Sequence, residues 1–61
     1  MSTEIRFIEG ESIRVNEDYR ETYERLFAGG WKQPCEFKQH HGDGESAITV
    51  NPGYIVYIRP G

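Results

Sequence analysis

Cys35 is the only cysteine in a chain of 61 residues, so no disulfide within the chain can hold its fold together. Domains this small usually need disulfides, a metal or association with another chain, because they bury only about 60% of the surface that the unfolded form exposes. The disulfide-rich secreted class is therefore excluded, and a free thiol favours a reducing compartment, which points to the cytoplasm. The length predicts one domain, residues 1–61. The core must come from hydrophobic patterning alone.

That patterning changes period twice. Residues 3–8 read Thr-Glu-Ile-Arg-Phe-Ile, with Ile5 and Phe7 on one side and Glu4 and Arg6 on the other, as in a half-buried strand. Glu9-Gly10 marks a turn, and Ser12-Ile13-Arg14-Val15 alternates again, which predicts a hairpin with Ile13 and Val15 on the core face. From Asn16 to Ala28 the period becomes helical. Asn16 is placed to cap the first turn, with Glu17 and Asp18 where the helix dipole favours negative charge. Tyr19, Tyr23, Leu26 and Phe27 form one apolar stripe, Glu21–Arg25 and Arg20–Glu24 are oppositely charged i,i+4 pairs, and Gly29-Gly30 ends the helix.

After the helix, Trp31 to Gln39 predicts a strand that Pro34, lacking a donor, confines to an edge or breaks at a bulge. His40 to Gly44 reads as a hairpin tip and Ala47 to Val50 as the return strand. Asn51-Pro52-Gly53 reads as a tight turn with positive φ at Gly53, and Tyr54 to Ile58 as the closing strand. The expected fold is α+β: a small antiparallel sheet of four or five strands in ββαβββ order, with one helix packed on one face.

One short helix covers only one face of such a sheet. The closing strand is apolar on both sides, with Ile55 and Tyr57 on one and Tyr54, Val56 and Ile58 on the other. An uncovered aromatic-rich face predicts a binding or assembly module that homo-oligomerises or takes a protein partner. The expected partner-binding residues are Tyr54, Val56 and Ile58 as anchors, with Trp31 at the rim. The outward set depends on register, which a one-residue slip would reverse.

Other functions find less support in the residues. The longest apolar run, Tyr54 to Ile58, falls far short of the roughly 18 residues that cross a bilayer, and the first residues carry no leader-like pattern. Ten acids against seven bases give a net charge of −3, the opposite of the bias expected of a phosphate-gripping protein. Cys35, His40, His41 and Asp43 are the only cluster of metal-capable side chains, and their spacing fits neither ligand pairing typical of zinc. Cys35 shares strand parity with Trp31 and Phe37, which predicts a buried and inert thiol rather than a nucleophile. The expectation is no cofactor, no metal and no catalysis. A nucleic-acid surface would have to come from Arg6, Arg14, Lys32, Lys38 and Arg59, interleaved with aromatics on the outer sheet face.

A family resemblance bears on that alternative. The run Ile5-Arg6-Phe7-Ile8-Glu9-Gly10-Glu11-Ser12-Ile13-Arg14-Val15, a short helix ending near Leu26-Phe27, and Val50-Asn51-Pro52-Gly53-Tyr54-Ile55 together resemble the second half of a LytTR-type DNA-binding domain. They resemble the small flagellar FlbD-type proteins more faintly. The resemblance implies a DNA-binding, transcription-regulating module. The basic run which that family carries before its Val-Asn turn falls here on Gly44-Glu45-Ser46-Ala47, without an arginine or histidine. No functional residue is carried over from it.

Overall fold

The computed structural model describes residues 2–41 and 44–61, the side chains of residues 40 and 41 excepted. The elements are β1 (Thr3–Phe7), β2 (Ser12–Val15), α1 (Tyr19–Ala28), β3 (Cys35–His41), β4 (Gly44–Val50), a 3-10 turn (Pro52–Tyr54) and β5 (Ile55–Pro60).

The first hairpin forms as its residues predict. The Phe7 N–H donates to the Glu11 carbonyl at 2.8 Å, and the Gly10 N–H donates to the Phe7 carbonyl at 2.9 Å. Gly10 stands at φ +98°, where a residue with a side chain is strained, so the three-residue loop closes without cost at that position.

One continuous sheet in ββαβββ order does not form. The strands divide into a three-stranded antiparallel sheet, β2-β1-β5, and a two-stranded antiparallel sheet, β3-β4. The seam between them lies at Asn16, whose N–H donates to the Lys38 carbonyl at 2.9 Å and whose Nδ2 donates to Glu45 Oε2 at 2.7 Å. Asn16 is held at this seam and does not cap the helix. Asp18 does so instead, its Oδ1 accepting from the Glu21 N–H at 2.8 Å, and the helix starts at Tyr19 rather than Asn16.

The helix is also turned from the expected stripe. Thr22 and Leu26 are its buried residues. The Thr3 hydroxyl donates to the Glu17 carbonyl at 2.8 Å, and the Thr22 hydroxyl donates to Thr3 Oγ1 at 3.3 Å. These bonds hold the first turn against β1 and rotate Leu26 inward. It joins Ile5, Val15, Phe37 and Val50 in a core bordered by Phe7, Ile13, Trp31, Cys35, Ile48, Ile55 and Ile58. Arg20 pairs with Glu24 at 3.6 Å, but Arg25 turns away from Glu21 and reaches Glu17 at 3.1 Å.

Helix α1 ends in a double reverse bond. The Gly30 N–H donates to the Phe27 carbonyl and the Trp31 N–H to the Leu26 carbonyl, which satisfies two orphan carbonyls of the last turn. Gly30 takes φ +68° as glycine readily does, and Trp31 follows it at φ +60°, a rare conformation for a bulky residue. Strand geometry is impossible there, so β3 begins only after Pro34 and runs as one strand.

Downstream, Asn51 Oδ1 accepts from the Gly53 N–H at 3.2 Å and its carbonyl accepts from the Tyr54 N–H at 3.1 Å. The segment is therefore a 3-10 turn, and Gly53 does not take the expected positive φ. A further register change follows. Arg6 pairs with Tyr57 and Phe7 with Ile55, leaving Val56 as an unpaired bulge. The bulge shifts the core-facing residues of β5 from every second to every third position, so both Ile55 and Ile58 turn toward the core.

Candidate protein-interaction site

Most of the predicted apolar sheet face is polar. Glu4 stands opposite Arg14 on one side and Arg59 on the other, and Arg6 stands opposite Ser12 and Tyr57. Directly opposed residues share a face, so the outer surface of β2-β1-β5 carries Glu4, Arg6, Ser12, Arg14, Tyr57 and Arg59. Arg59 Nε lies 2.7 Å from Glu4 Oε1, and its guanidinium lies 5.6 Å from the Tyr57 ring centre. The hydrogen bond from Arg59 holds the Glu4 carboxyl below the usual carboxylate range, and the same bond raises the pKa of Arg59.

The four expected contact residues are not brought together on one face. Tyr54 and Val56 are exposed, at 59% and 60%. Ile58 is half-buried on the core side, a correction that follows from the Val56 bulge. Trp31 is half-buried beyond the helix end, packed against the core. Of the proposed cations, Arg6, Arg14 and Arg59 do share the outer sheet face, while Lys38 belongs to β3 and Lys32 to the loop after α1.

The aromatic surface is on the helix. Tyr19, Tyr23 and Phe27, which the pattern places in the core, are exposed at 41%, 42% and 61%. Tyr23 and Phe27 stack with centroids 5.8 Å apart, and Trp31 meets Tyr23 edge-on at 6.0 Å. The chain reversal at Gly30 folds Trp31 back against Tyr23, so α1 and the turn after it present a connected row of aromatic rings. Large aromatic side chains are enriched at protein interfaces, which makes this row a candidate contact surface. One signal for it was present in the sequence: Thr22 lies one turn before Leu26, and a small residue that can hydrogen-bond inside competes with the bulky stripe for the inward position.

Cys35 is half-buried, with its thiol 3.6 Å from the Arg25 carbonyl and 3.7 Å from the Gln33 carbonyl. The metal-capable side chains of His40, His41 and Asp43 lie outside the described residues. Among the described residues no group of three histidine, cysteine, aspartate or glutamate side chains converges, and no helix is long and apolar enough to cross a membrane.

Neither a family model, nor a curated protein, nor a solved structure matches the chain.

Proposed function

We propose that the chain is a non-enzymatic assembly module that homo-oligomerises or binds a protein partner through the aromatic face of α1. The carrying observation is Phe27. It is the most exposed of the helix aromatics, yet it stacks on Tyr23, which Trp31 in turn meets edge-on. A contiguous apolar patch rimmed by charge is the usual mark of an interaction surface, and Arg20 and Glu24 supply such charges on the same helix. Absolute mass by light scattering behind a sizing column, over a tenfold range of concentration, tests self-association. The wild-type chain should run as a dimer or larger assembly and Phe27→Glu as a folded monomer. If both run as monomers, the face is left to a partner of another sequence; equal assembly by both variants would remove α1 as the interface.

A second reading has its own observation. Three arginines, Arg6, Arg14 and Arg59, share the outer sheet face with Tyr57 and the carboxylate of Glu4. That arrangement suits stacking and phosphate contact with a nucleic acid, in line with the DNA-binding alternative. Binding of this kind weakens steeply with salt, so a gel shift that is absent, or insensitive to ionic strength, would eliminate it.

A further inference from the structure

A surface distinct from both of these lies between the first hairpin and the end of β4. It is an open groove of about 460 Å³, walled by Phe7, Ile13, Ile48 and Val50 and rimmed by Ile8 and Tyr54. The Ile8 N–H donates to the Tyr54 carbonyl at 2.8 Å and ties the hairpin loop to the 3-10 turn, so the two rims are fixed relative to one another. The volume falls in the range of recognised ligand sites, about 300–1,000 Å³. None of the lining residues belongs to α1.

Two features define what the groove would take. Its only charged lining residues are Glu9 and Glu11, and neither carboxylate has a hydrogen bond or ion pair among the described residues. Two unneutralised carboxylates beside isoleucines and a phenylalanine complement a cation attached to an apolar body. The second feature is β4. Ile48, Thr49 and Val50 line the groove, and β4 pairs only with β3, so the backbone of this segment borders the groove as an unpaired strand edge among the described residues. A strand edge recognises another extended backbone, whereas a compact small molecule makes no use of it.

We propose that this groove binds an extended segment of a partner protein in which an arginine or lysine neighbours an apolar side chain. The apolar side chain rests on Ile13 and Ile48, the cation reaches Glu9 and Glu11, and the segment's backbone runs along β4. The site is independent of the aromatic helix face, and either can stand without the other.

The test is a titration of the isotope-labelled chain, followed by amide chemical shifts, with a panel of short capped peptides. Each carries one arginine or lysine next to leucine, phenylalanine or proline, and a matched control carries glutamate instead of the cation. The expected result is perturbation confined to residues 7–13, 48–51 and 54 by at least one cationic peptide, and none by its control. Glu9→Gln with Glu11→Gln should weaken that binding about three- to tenfold at low salt, as expected for two exposed charges. Both carboxylates are exposed and make no bond among the described residues, so the double variant keeps the fold, and its unchanged amide spectrum verifies this. Ile8→Ser, at an exposed rim position, should weaken binding with the charges intact. The proposal fails if no member of the panel perturbs the groove at millimolar concentration, if the glutamate controls bind equally well, or if the double glutamine variant binds as tightly as wild type.

Discussion

The guanidinium of Arg25 lies 4.6 Å over the ring centre of Phe37. Phe37 is the largest fully buried side chain among the described residues, and Arg25 covers it while bonding to Glu17 Oε2 at 3.1 Å and to the Glu36 carbonyl. One side chain thus joins the helix, the segment before it and β3. Arg25→Ala should cost about 1–2 kcal/mol in urea unfolding, the sum expected of a cation–π contact and a charged hydrogen bond. Arg25→Lys should recover little of it, because an ammonium cannot lie flat on the ring and bond both oxygens together.

Neighbouring helix positions should behave oppositely. Leu26 is fully buried and Phe27 is largely exposed, although the sequence pattern assigns both to one stripe. Leu26→Ala should cost about 2–5 kcal/mol, enough to leave so small a domain largely unfolded. Phe27→Ala should stay within about 0.5–1 kcal/mol of wild type. Thermal unfolding of the two variants side by side tests the rotation of the helix.

Gly30 should be costly to replace although there is room for a side chain. A Cβ built there meets no atom within 4 Å, so the penalty of Gly30→Ala is the backbone strain at φ +68° alone. That is about 1 kcal/mol, and asparagine, which tolerates this conformation better, should lose less. Equal stabilities of the alanine and glycine chains in urea would contradict the helix end described above.

The buried threonines provide a polar test. Thr3→Val removes the donor to the Glu17 carbonyl and the acceptor for Thr22 while preserving shape. Leaving these groups unpaired should cost about 1–3 kcal/mol, read from denaturant midpoints. Thr22→Val breaks only the bond to Thr3 and a weaker one to the Glu17 carbonyl, and should cost less.

The Glu4–Arg59 pair sets a pH dependence. The Glu4 carboxyl is held below its ordinary pKa in the folded chain, so the stabilisation is fully present above that ordinary value and is lost as pH falls through the lowered folded value. Arg59 is shifted upward, so its contribution fades only under strongly alkaline conditions. Melting temperature followed from neutral to acidic pH should show a shallower acid decline in Glu4→Gln than in wild type.

Local signals in the sequence were legible where one residue decides the geometry. Glu9-Gly10 marks the hairpin turn, Gly29-Gly30 marks the end of the helix, and the alternation of Ile5, Phe7, Ile13 and Val15 gives the inward face of the first two strands. The errors arose where a distant partner competes for a group. Asn16 is a good helix cap by type, but its N–H and Nδ2 bond to Lys38 and Glu45 across the seam, and Asp18 caps the helix instead. Thr22 wins the inward position over Tyr23 because Thr3 stands opposite it, which no local pattern encodes. Strict alternation places Tyr54, Val56 and Ile58 on one face, but alternation fails at the β5 bulge and Ile58 turns toward the core.

The bulge at Val56 also bears on how the molecule behaves when crowded. β5 is one of the two outer strands of its sheet, and a flat apolar outer strand invites stacking by identical neighbours. An extra residue midway along β5 bends it out of the straight repeat that cross-β growth requires, and Pro60 leaves its far end one donor short. Strand addition by a second copy at the β5 edge of the folded chain should therefore be disfavoured.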